Sequence, residues 1–103
     1  MELTALTVPG CPNAAALDER LAVVLVGRRD VSVIRRVILD EEQAARFGMR
    51  GSPTLLVDGA DPFAAPGTPP SVSCRIYRGP EGRAEGAPSV AELRRALAEA
   101  GRG

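Results

Sequence analysis

The chain has 103 residues, 45% of them apolar and 25% charged, with 11 Gly and 9 Pro; this length suits one small domain, residues 1–103, and leaves no room for a second. Thirteen acidic side chains balance thirteen basic ones, so no net field gathers phosphates or anionic lipid, and neither a nucleic acid nor a membrane is expected as a partner. The longest apolar run, residues 21–26, falls far short of the ~20 residues that cross a bilayer. The N-terminus has neither the basic n-region nor the long apolar h-region of a secretory signal, so a cytoplasmic protein is expected.

Histidine is absent, which removes Ser-His and Cys-His catalytic pairs and the commonest transition-metal ligand. Two cysteines, Cys11 and Cys74, are too few and too scattered for a zinc cage or a disulfide-stapled scaffold. Isolated thiol chemistry remains, with no metal and no cofactor expected.

In chain order, residues 3–8 are short, β-branched and half alternating, and they stop at Pro9-Gly10, as a strand does. A helix is expected from Pro12 to Gly27, with Leu17, Leu21, Val24 and Leu25 on one face. Pro12 suits its first position, since proline has no N–H to leave unpaired, and Cys11 then falls at the N-cap. Residues 31–39 carry apolar side chains on both faces, the pattern of a largely buried parallel strand. Asp40-Glu41-Glu42-Gln43 reads as a capping box for a two-turn helix stopped by Gly48. Residues 54–57 and 73–77 read as third and fourth strands, the latter ending at Gly79-Pro80. A second capping box, Ser89-Val90-Ala91-Glu92, opens a helix ending at Gly101.

The order β-α-β-α-β-β-α implies an α/β fold with a four-stranded mixed sheet and flanking helices. One connection, the Pro-rich loop 59–72, is longer than a hairpin needs. Its Phe63 either anchors the loop to the core or meets a partner; the anchor is preferred. Asp40, Asp58 and Asp61 fall at turns or caps, which accounts for them without catalysis.

A cysteine at a helix N-cap faces unpaired N–H groups and the positive end of the helix dipole, which stabilise a thiolate. Cys11 is therefore either a nucleophile or merely a small residue tolerated at a cap. Here the chain resembles the thioredoxin-like superfamily. Pro9-Gly10-Cys11-Pro12-Asn13-Ala14 stands in the place of that family's C-x-x-C turn. Gly51-Ser52-Pro53-Thr54 stands in the place of the segment that carries its cis-proline. The resemblance covers residues 3–59, and residues 73–101 by element order only. It implies a cis Ser52–Pro53 bond, with Pro12, Ser52 and Pro53 lining a peptide or thiol cleft around Cys11. Arg50 beside that cleft either attracts a carboxylate such as that of glutathione or is a solvated cation.

Ala14 occupies the place of the family's resolving cysteine, so the turn cannot release a substrate by forming an internal disulfide. If the third and fourth strands pair antiparallel, Cys74 lies at the level of Val57, roughly 13 Å along the strand from Pro53. No Cys11–Cys74 disulfide is then expected, and Cys74 reads as a small buried hydrophobe, with a redox partnership to Cys11 as the alternative because the long loop leaves the strand register open. The expected function is thiol–disulfide exchange by a monomeric monothiol oxidoreductase. Cys11 is its nucleophile, and its partner is a protein or a low-molecular-weight thiol or disulfide such as glutathione. Two alternatives stand beside it. One is a non-enzymatic module that binds a peptide or partner protein; the other is a handler of soft metals or organomercurials, which requires the two sulfurs to converge.

Overall fold

The computed structural model of the protein describes residues 1–65, 67–78, 82 and 84–101. Its elements run β1 (Glu2–Thr7), α1 (Ala14–Val24), β2 (Ser32–Val37), α2 (Glu41–Phe47), β3 (Arg50–Ser52), β4 (Thr54–Val57), β5 (Ser71–Cys74), β6 (Tyr77–Arg78), β7 (Ala84–Glu85) and α3 (Val90–Gly101). The fold is α/β, with three helices and both parallel and antiparallel strand pairs.

β1 is central. It pairs parallel with β2, from Glu2 opposite Ser32 to Thr7 opposite Val37, and antiparallel with β4, from Leu3 opposite Val57 to Leu6 opposite Thr54. Successive side chains of a strand point to opposite faces, and β1 uses both. Leu3 and Ala5 join Leu17 and Leu21 of α1, Leu55 and Val57 of β4, and Leu93 and Leu97 of α3. Leu6 joins Ile38, Ala44 and Met49 beneath α2. Burying each large aliphatic side chain stabilises the fold by about 1.5–3 kcal/mol.

Both expected capping boxes form. Asp40 Oδ1 accepts from Gln43 N at 2.8 Å, Gln43 Oε1 accepts from Leu39 N at 2.9 Å, and Gly48 ends α2 at φ +85°. Ser89 Oγ accepts from Glu92 N, and Glu92 Oε1 from Ser89 N, each at 3.1 Å. Phe63 packs on the core, as preferred for the loop anchor.

Three expectations are corrected. The first helix begins at Ala14 with Asn13 as N-cap, not at Pro12 with Cys11 as cap. The backbone ahead of it is taken by two turns, in which Cys11 N donates to Val8 O at 3.2 Å and Ala14 N to Cys11 O at 3.3 Å. The second strand is not buried on both faces: Ile34 and Val37 are 40% and 55% exposed. It ends the sheet, which runs β2-β1-β4. The flanking helices leave its far side open, although Arg35 pairs with Asp18 at 2.9 Å and Arg36 lies over the Phe47 ring.

The third correction concerns the fourth strand, which does not join β4. Instead β5 runs parallel to β3, with Arg50 opposite Ser71 and Ser52 opposite Cys74 across a bulge. The chain leaves that pairing at Arg75, and Tyr77–Arg78 forms a separate short ladder with Ala84–Glu85. The cause lies at the outer edge of β4, where Val57 and Ala60 exchange backbone hydrogen bonds and turn the chain back at once. Asp61 is thereby buried, and it draws in the Arg75 guanidinium at 2.6 Å. The Gly79-Pro80 stop expected for this strand lies outside the described residues. Among the described residues, no helix is long and apolar enough to cross a membrane.

Candidate functional site: the Cys11 turn and the Ser52–Pro53 corner

The Cys11 turn sits where β1 gives way to α1, and its thiol is free and half-buried while Pro12 is exposed. Asn13 makes no side-chain capping bond. Its side chain lies against Gly86, where a Cβ would overlap Asn13 Cγ, Oδ1 and Nδ2. Farther along α1, Arg20 donates to the carbonyls of Ala87 and Pro88 at 2.8 and 3.1 Å and faces Glu85 at 3.9 Å. The start of α1 is therefore seated on the segment 85–88. A cavity of about 40 Å³, lined by Ala5, Thr7, Ala14, Leu17, Asp18 and Arg35, lies between α1 and the sheet.

The Ser52–Pro53 corner is tied to the Cys11 turn through Val8. Ser52 is fully buried, and its Oγ accepts from Val8 N at 3.1 Å. Val8 is the residue whose carbonyl closes the turn onto Cys11, so one hydrogen bond on each side of Val8 links the thiol turn to Ser52. The Ser52–Pro53 bond is cis, as the sequence resemblance implies. The Ser52 carbonyl accepts from Arg75 N at 3.1 Å, so β5 already occupies the backbone that a peptide cleft would offer. Gly51 makes this approach possible. It adopts φ +114°, and a Cβ there would stand 2.8 Å from Arg75 Cβ and 3.2 Å from Ser73 O.

Below the corner lies a polar cluster that sequence reasoning missed. The Asp61 side chain has no exposure, Arg75 bonds it from a side chain only 11% exposed, and Arg50 Nη1 lies 3.8 Å away. Arg50 thus stands at ion-pair distance from Asp61 with its side chain 35% exposed. Tyr77 donates to the Pro53 carbonyl. Burial raises the phenol well above its ordinary pKa, against the opposing pull of the Arg75 cation. Asp61 resembles an ordinary turn residue in Asp61-Pro62-Phe63. The one hint in the sequence is an arginine at position 75, in the middle of an otherwise strand-like segment.

Cys11 is thus linked through Val8 to Ser52, the residue before the cis proline, and Pro12 is exposed. Cys74, expected near Val57 and buried, is exposed and stands in register with Ser52. Among the described residues, no group of three or more His, Cys, Asp or Glu side chains converges to hold a metal ion. Comparison with family models, with curated proteins and with solved structures finds no significant match to this chain.

Proposed function

We propose that the protein is a thiol–disulfide exchange protein of thioredoxin-like kind, with Cys11 as its nucleophile. The observation that supports this reading is the hydrogen-bonded path from Cys11 through Val8 to Ser52, which ties the turn of a half-buried free thiol to the cis Ser52–Pro53 corner. The Cys11 thiolate attacks one sulfur of a disulfide, forming a mixed disulfide and releasing the other half as a thiolate. A low-molecular-weight disulfide suits this site better than an extended peptide, because β5 covers the Ser52 backbone.

Incubation with glutathione disulfide, followed by intact-mass and peptide mapping, tests the reading. A glutathionyl group should arrive first at Cys11, faster than on a free cysteine peptide, and should not appear at that peptide in Cys11→Ser. A Cys11 that reacts no faster than the free peptide makes the thiol incidental.

A further inference from the structure

Strand β2 leaves one whole edge of its sheet unpaired. The sheet runs β2-β1-β4, and among the described residues no strand pairs with the far side of β2. Ser32 N and Ile38 N donate inward, to Met1 O and Thr7 O along β1. Backbone groups alternate sides along a strand, so the N–H and C=O of Val33, Arg35 and Val37 point outward. The row stops at Leu39, whose N–H is already held by Gln43 Oε1 at 2.9 Å.

The side chains along this edge read apolar, basic, basic, apolar: Ile34, Arg35, Arg36 and Val37, all exposed. Arg35 bonds Asp18, but in a pair open to water, with side chains 60% and 43% exposed, and such a pair holds weakly. Arg36 lies over the Phe47 ring at 4.3 Å, and Arg46 shares that ring at 5.5 Å. Among the described residues neither of these two guanidiniums enters an ion pair. Asp40, Glu41 and Glu42 fall beyond the end of the strand, in the cap and first turn of α2.

We propose that the β2 edge takes up an extended acidic segment of a partner protein as an added strand, an inference independent of the chemistry at Cys11. The outward backbone groups supply the ladder. Carboxylates opposite Arg35 and Arg36 supply the counter-charge that the patch lacks. Partners across a ladder share a face, so the matching segment reads apolar, acidic, acidic, apolar. That pattern is the same in both directions and fits a parallel or an antiparallel partner. A second copy of β2 paired about Arg35 or Arg36 would set arginine against arginine, and like charges directly opposite are unfavourable.

The test uses the full chain and two end-blocked synthetic peptides, Thr-Val-Glu-Glu-Val-Thr and its Lys-Lys counterpart, followed by NMR titration and amide hydrogen exchange. The acidic peptide should bind about tenfold tighter than the basic one and slow exchange of the Val33, Arg35 and Val37 amides. Arg36→Glu, a change at an exposed side chain, should reverse the preference. Methylating alternate backbone nitrogens of the acidic peptide should abolish binding for one alternate set and spare it for the other, since only one set faces β2. Equal binding of the two peptides, binding that neither methylated set abolishes, or unchanged exchange at those three amides overturns the proposal. Protection of the same amides that grows with protein concentration in the absence of peptide makes a second copy the occupant and overturns it as well.

Discussion

The hydroxyl of Tyr77 donates to the carbonyl of Pro53, and the same ring stands edge-on to Phe63 with centroids 5.7 Å apart. One side chain thus ties the loop after β4 to the corner beside Cys11. Tyr77→Phe keeps the ring contact but leaves the Pro53 carbonyl without its donor, which costs about 1–3 kcal/mol when the acceptor stays buried. A urea titration should show that loss as a lower midpoint with an unchanged slope.

The same phenol makes stability depend on alkaline pH. Burial raises its pKa in the fold, so above the unfolded value of about 10 the unfolded chain gives up a proton that the native chain retains. The contribution is present below that pH and is lost as pH rises through and beyond it. Tyr77 is the only tyrosine, so phenolate absorbance should appear at higher pH in the native chain than in urea. The fall in stability should be shallower in Tyr77→Phe.

Asp61 and Arg75 form a buried pair at 2.6 Å, with Arg50 beside them. Asp61→Asn leaves a buried guanidinium without its counter-charge and should destabilise the protein by about 3–5 kcal/mol. Replacing Asp61 and Arg75 together by Leu and Met should recover much of that loss, because the one cation left without a partner, Arg50, is 35% exposed and reaches water. Denaturant midpoints of the two variants check the difference.

Gly86 is required by the neighbour it touches. Gly86→Ala drives a methyl into Asn13 and should cost about 1–3 kcal/mol, as overpacking does. It should also change the alkylation rate of Cys11, two residues away. Adding Asn13→Ala should restore both stability and rate. If the double variant is as slow and as unstable as the single one, the contact is not what seats α1.

A thiol at position 14 should supply what the turn lacks. Ala14 borders the small cavity under α1, so Ala14→Cys adds a sulfur where there is room for it. This substitution should add release of the second thiol from the Cys11 mixed disulfide, measured as two equivalents of glutathione freed instead of one.

The parts of this fold legible in the sequence are those with local causes. Asp40 with Gln43, and Ser89 with Glu92, sit three residues apart, so the pattern that announces each helix start is also the bond that makes it. The Ser52–Pro53 corner was similarly readable from four consecutive residues. The position of β5 was not, because a strand after a long loop has its register set by what the loop grips. Here the grip is Asp61 on Arg75, fourteen residues apart, and no periodicity marks it. That one contact moved Cys74 from the level of Val57 to that of Ser52. The Cys11 cap missed by two residues for a similar reason, since the seat for Asn13 is made by Gly86, far along the chain.

The open side of β2 has a consequence for how molecules of this protein meet. A bare strand edge invites a strand from another chain to add to it, and the apolar Ile34 and Val37 would reward that addition. Arg35 and Arg36 lie between them, one held by Asp18 and the other over Phe47. An incoming strand would have to dehydrate two neighbouring guanidinium groups. The two arginines thereby raise the cost of edge-to-edge pairing for a small sheet that ends in apolar side chains.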